Sequence, residues 1–366
     1  MNGRECITNI LNRRGADRLS WTTVADAAGR SLMPRRLREC PVLEFYRAIG
    51  CDILQFGNAA LAADQCAAMP YRRVAPCTVE TAGEGDGTWR TRTVCRWGTL
   101  ESAWRAGHPV KYPIATPEDL ACATALWRET LVEEAAAPAA EESLARVQAA
   151  IGDDGIYMLT LEPSPVQQLI EMDIGLENFY YLLADRPREV EALMDAMHAV
   201  RMAEYRIIAR RMDVAAVCPV ENTSTTLTSP AIYERYSLGQ IADLVDVMHE
   251  HDRKVVLHMC GRLEGLLGLI ARTGADAINA LTPPSVGDVP PERALDVLGE
   301  DVVLLGTIFN PNVFQKPRVT REEIWRELDR LYTPRLRKAH MVLWLGCDGL
   351  ATELYRFEAV RQWMEA

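Results

Sequence analysis

The chain has 366 residues, 48% of them hydrophobic, enough for one large core or two of ordinary size. Lys and Arg number 40 against 51 Asp and Glu, a net charge of −11, which excludes sequence-independent attraction to nucleic acid or anionic lipid. No window reaches the roughly 18 unbroken apolar residues of a membrane span, and residues 1–15 carry Arg and Asn where a signal peptide needs an apolar stretch, so a cytoplasmic location is expected.

In chain order, the first 40 residues read as helical and irregular, and CDILQ (51–55) is the first short apolar run. Residues 72–100 alternate in character around the Gly-rich turn EGDG and predict a hairpin excursion. EEAAAPAAEE (133–142) is either helix with a Pro break or a solvated linker. Six more apolar runs follow: GIYMLTL (155–161), DVAAVCPV (213–220), KVVLH (254–258), DAINAL (276–281), DVVLLG (301–306) and MVLWLG (341–346). Between them lie amphipathic segments such as 187–211 and 230–252, each opening on a proline as helices allow.

Strands apolar on both faces and joined by helices describe either a doubly wound sheet or a (β/α)8 TIM-type barrel. Seven candidate strands favour the barrel, with an eighth unassigned. Neither GxGxxG after the first strand nor GxxxxGK[ST] is present, which removes the main reasons for a nucleotide fold. The expectation is one barrel over residues 1–366, carrying the hairpin as an insertion.

Barrel closure brings residues at the C-terminal ends of strands to one mouth. His258 and Cys260 leave KVVLH, Cys347 ends MVLWLGC between Gly346 and Gly349, and Glu221 follows VCPV. One nitrogen, two sulfurs and a carboxylate are zinc donors, and two thiolates with one imidazole leave a fourth position for catalysis, which Glu221 fills at rest. A His-x-Cys pair by itself is a weak signal, since either residue at a strand end is commonly just packed.

Other polar strand-end residues are Gln55, Glu162, Thr282 and Asn310, expected near the substrate. Glu162 either caps a turn or serves as general acid for a leaving oxygen. Asp348 is either a partner for a ligand histidine or a helix cap. Phe45, Tyr46, Phe56, Phe179, Tyr180, Phe309 and Trp344 are core or the lining of an apolar pocket.

HMCG (258–261), GCDGLATE (346–353) and LTSPAIYERY (227–236), together with KYPIATPEDL (111–120), GIYMLTLEPSP (155–165) and LGEDVVLLGTIFNP (298–311), carry a family likeness over most of the chain. The chain resembles the uroporphyrinogen decarboxylase superfamily, and within it the zinc-dependent, corrinoid-linked methyltransferases. That resemblance implies a distorted barrel with a funnel at the strand C-termini and zinc on His258, Cys260 and Cys347. The decarboxylase branch holds its substrate's carboxylates with an RQAGR motif; here the matching stretch is DAAGR (26–30), which keeps Arg30 for substrate but puts Asp26 in place of the first arginine. That branch also needs no metal.

The resulting expectation is an enzyme moving a methyl group between a methoxylated donor and a corrinoid (cobalamin) carried by a partner protein. Zinc would polarise the donor oxygen while cobalt(I) attacks the methyl carbon. The segment 72–100, ending in WGTL, is similar to members that demethylate methoxylated compounds. Alternatives are transfer from a methylcobamide to a coenzyme M type thiol, metal-free uroporphyrinogen decarboxylation, and a non-catalytic ligand-binding barrel.

Overall fold

The structure is a computed structural model describing residues 1–57, 66–347 and 349–366. Strands β1 (Ser20–Val24) and β2 (Ile53–Phe56) precede an excursion of short strands: β3 (Arg72–Val74), β4 (Cys77–Gly83), β5 (Thr88–Cys95), β6 (Gly98–Arg105), β7 (His108–Lys111) and β8 (Leu131–Glu133). Then come β9 (Gly155–Leu161), β10 (Ala216–Pro219), β11 (Lys254–His258), β12 (Ala277–Asn279), β13 (Val303–Ile308) and β14 (His340–Gly346).

Eight of these form one parallel sheet in the order β1-β14-β13-β12-β11-β10-β9-β2. Its two ends meet, where Asp52 N donates to Trp21 O at 3.0 Å and Leu54 N to Thr22 Oγ1 at 3.4 Å, so the sheet is a nearly closed (β/α)8 barrel. Three strands separate β1 from β11 in either direction, which sets the two on opposite sides of the mouth.

Side chains alternate between two cores. Leu54, Phe56, Met158, Cys218, Val256, Leu305 and Trp344 fill the lumen. Their neighbours Ile53, Leu159, Val217, Leu257, Leu304 and Leu345 pack outward against the helices. Both faces are therefore dry, and this accounts for the continuous apolar runs. The period of two also decides which strand-end residues reach the mouth.

All seven runs contain strands, and the eighth is β1, inside the segment that reads as helical and irregular. SWTTV escapes an apolar scan because its polar groups are satisfied internally: Ser20 Oγ donates to Asp52 Oδ2 at 2.6 Å and Thr23 Oγ1 to Leu345 O at 2.6 Å. Ahead of it, the helix Gly3–Leu11 opens on a capping box of Asn2 and Glu5 and sends Cys6, Ile7, Ile10 and Leu11 into the lumen cluster.

The excursion is larger than a hairpin. The strands β4 to β7 form a four-stranded antiparallel meander, and β3 pairs with β8 to clamp its base. The Ala-rich segment is helix: a 3-10 turn, Glu134–Ala136, runs into the helix Ala137–Ile151, with its proline in the first turn where no amide is needed. The helix Pro187–Arg211 matches its expected span. No helix among the described residues is long and apolar enough to cross a membrane.

Candidate active site

A cavity of about 870 Å³ opens at the C-terminal ends of the strands. Its walls are mostly apolar: Val24, Phe56, Val220, Ala280, Ile308, Pro311 and Trp344, with the Phe56 and Trp344 ring centroids 5.5 Å apart. Its polar groups are Asp26, Asn222, His258, Cys260 and Thr282.

His258 is the last residue of β11 and its Nδ1 lies 2.6 Å from Asn279 Oδ1, on the adjacent β12. Asn279 Nδ2 donates to Leu305 O, which turns its amide oxygen towards the imidazole. An oxygen there accepts a proton, so Nδ1 carries a hydrogen, and in the neutral ring the lone pair then falls to Nε2. The arrangement needs a glycine at position 306, where φ is +122° and a Cβ would sit 2.3 Å from Asn279 Nδ2.

Cys260 is exposed at the cavity, with Sγ 3.7 Å from Asn222 Oδ1. Its thiol pKa is pushed up, first by loss of water and then by the Glu171 carboxylate. Gly261 follows at φ +90°, turning the chain away so that Arg262 N reaches Ser224 Oγ at 3.1 Å.

Cys347 is not on the cavity. Trp344 and Gly346 line it, whereas Leu345 and Cys347, one step out of phase, belong to the outer core. The buried Cys347 Sγ lies 2.8 Å from Val24 O, to which it donates, and 3.1 Å from Thr23 Oγ1. Glu221 is displaced for the same reason, since Val220 and Asn222 line the cavity and Glu221 turns away between them. It is fully buried, accepting from Ser164 N at 2.7 Å and Ser164 Oγ at 2.8 Å. Burial raises its pKa to about 7, against the lowering effect of Ser164. Among the described residues, no three His, Cys, Asp or Glu side chains gather closely enough to hold a metal ion.

Thr282 reaches the cavity, with Oγ1 donating to Ala280 O at 2.8 Å. The remaining expected substrate contacts lie elsewhere. Gln55 sits between the lumen residues Leu54 and Phe56 and therefore faces outward, buried. Asn310 caps its own helix through Asn312 N and donates to Glu327 at 3.0 Å. Arg30 Nη1 donates to Cys40 O at 2.8 Å and Leu37 O at 3.3 Å, and its guanidinium lies over Phe45. Glu162 is half-exposed beside the excursion, paired with Arg73 at 2.6 Å and with Arg201. Asp348 lies outside the described residues. Of the aromatic candidates, Phe56 and Trp344 line the cavity; Phe45, Tyr46 and Phe309 are outer core, and Phe179 and Tyr180 pack in a separate cluster with the meander.

Sequence reasoning missed Asn279, Asn222 and the position of Asp26 on the cavity wall. The signal for Asn279 was present: a lone amide inside the apolar run DAINAL has to be paired once buried, and an adjacent strand end holds a histidine.

Fold and cavity together define a (β/α)8-barrel protein with its candidate site at the strand C-termini. The chain belongs to the uroporphyrinogen decarboxylase family, whose model matches residues 113–366, more than two thirds of the chain. Among solved structures, a methyltransferase from Methanosarcina mazei superposes with a TM-score of 0.60 at 12% identity, covering 100% of this chain and 98% of that one, and shares the fold. A D-psicose 3-epimerase covers 63% of this chain and 83% of its own at 12% identity, with a TM-score of 0.37. No curated protein matches the chain.

Proposed function

We propose that this protein is a zinc-dependent methyltransferase that moves a methyl group from a small methoxylated compound to a corrinoid carried by a partner protein. The observation that carries the proposal is the pair His258 and Cys260, side by side on an apolar cavity at the barrel mouth, with the imidazole oriented by Asn279. The full-length likeness to a structure described as a methyltransferase supports the reaction class.

The donor set fits zinc in chemistry: an imidazole held at Nδ1 and a thiol two residues on are what a zinc site uses. Cys347 would supply the second sulfur, and its bond to Val24 O has to give way for it to do so. Bound by these residues, zinc supplies a Lewis acid for the ether oxygen of the donor. The walls formed by Phe56, Ile308 and Trp344 hold an aryl body and keep water from the reacting carbon. Asn279 and Leu305 O keep the imidazole in the tautomer that ligates through Nε2. Neither Glu162 nor Glu221 reaches the cavity, so the proposal gives them no proton to move.

Decarboxylation of a polycarboxylate is disfavoured by the same cavity. Asp26 faces it, no Lys or Arg is among its described lining residues, and Arg30 is engaged by main-chain carbonyls. The test is to mix zinc-loaded protein with cob(I)alamin and a panel of methoxyarenes and follow methylcobalamin by absorbance. The wild type should form it, and His258→Ala should slow it by roughly a hundredfold or more. Methylcobalamin formation from none of the ethers would overturn the proposal, and demethylation of methylcobalamin by a thiol instead would assign the coenzyme M type reaction.

A further inference from the structure

The proposed reaction leaves the donor's body unspecified, and the cavity narrows it. Asp26 lies two residues beyond the end of β1 and His258 ends β11, strands on opposite sides of the barrel, yet both side chains line one cavity. A ligand whose methoxy group sits beside His258 and Cys260 therefore directs its far end towards a carboxylate. Asp26 Oδ1 accepts Gly29 N at 2.7 Å, which pins the group, and no cation among the described residues pairs with it. The one guanidinium nearby in sequence, Arg30, is turned onto the carbonyls of Leu37 and Cys40. Residues 58–65 and 348 contain no Lys or Arg either.

Resting on the methyltransfer reading above, we propose that the methyl donor is an aryl methyl ether bearing an ammonium group, its ammonium on Asp26 and its methoxy group beside His258 and Cys260. A charge-assisted bond to a carboxylate at the mouth of an apolar cavity favours an ammonium over an uncharged end and repels a carboxylate. Phe56 and Trp344 supply the aromatic surface between the two poles.

Calorimetric titration of the full chain with para-methoxyphenethylamine, para-propylanisole and para-methoxyphenylpropanoate tests this, the three ligands differing chiefly in end charge. The amine should bind about tenfold tighter than the neutral ether, and the carboxylate weakest. Asp26→Asn, whose amide oxygen still accepts from Gly29 N, should bring the amine to within about twofold of the neutral ether. Failure of the amine to bind, a carboxylate bound as tightly as the amine, or an amine advantage that survives Asp26→Asn would each overturn the assignment. Binding is read without turnover, so the two failures are distinguishable: the expected ranking with no methylcobalamin formed from any ether sinks the methyltransfer reading, and the donor role with it, but leaves the ammonium subsite at Asp26 standing.

Discussion

Asn279 Oδ1 stands 2.6 Å from His258 Nδ1 while its Nδ2 is spent on Leu305 O, so one buried amide sets both the tautomer and the direction of the imidazole. Gly306 makes room for it, and Gly306→Ala would drive a methyl group to 2.3 Å from that Nδ2. Displacing such a partner of a metal-ligating histidine lowers metal affinity by roughly tenfold to a hundredfold. Competition with a chromogenic chelator should show that loss in Gly306→Ala, and unchanged zinc affinity would deny Asn279 its orienting role.

The two cysteines proposed to hold zinc should differ in reactivity. Cys260 is exposed, whereas Cys347 is buried and donates to Val24 O. In metal-free folded protein, iodoacetamide should label Cys260 well before Cys347, increasingly so as pH rises, because partial loss of water around the sulfur and the Glu171 carboxylate hold the Cys260 thiol above its ordinary range. Added zinc should protect Cys260. Peptide mass spectrometry reads both, and early labelling of Cys347 would place its thiol on the cavity.

Glu221 should make stability fall as pH rises. Its folded pKa, about 7, lies above the ordinary carboxylate value because burial disfavours the charge. The contribution is therefore fully present below about pH 4.5 and is lost progressively as pH climbs through about 7, by no more than about 3 kcal/mol. Glu221→Gln, which can keep both bonds to Ser164, should flatten that slope in urea unfolding between these pH values. An unchanged slope would mean the carboxylate is ionised in its pocket.

The acidic residues around Arg201 should matter for folding and not for chemistry. Arg201 and Glu204 are both fully buried, and Arg73 bridges Glu204 to the half-exposed Glu162. Glu204→Ala removes the buried carboxylate shared by Arg73 and Arg201, leaving both to the half-exposed Glu162, and should cost about 3–5 kcal/mol in urea unfolding. Glu162→Gln should cost under about 1 kcal/mol, and methyl transfer should stay within about twofold of wild type. A large loss of turnover in Glu162→Gln with normal stability would restore it as the general acid.

The barrel was legible because a parallel sheet buried on both faces writes continuous apolar runs, and seven of its strands do so. The strand β1 stayed hidden because Ser20 and Thr23 bury hydroxyls that find acceptors only across strand pairs distant in sequence. His258 and Cys260 were legible as a pair, two residues apart and therefore on the same face. Cys347 and Glu221 lie at strand ends as well, but phase within the strand decides orientation, and both fall one residue out of step with their cavity-lining neighbours. Chemistry could be read from residue type, and convergence required the register.

Zinc content tests the central claim most directly. Protein reconstituted with zinc under reducing conditions and freed of excess metal should carry about one zinc per chain. Cys260→Ala and His258→Ala should carry almost none, and Cys347→Ala should retain it weakly enough to lose it to a chelator. A wild type that holds no zinc, or a Cys260→Ala variant that keeps its full complement, would contradict a metal at this mouth.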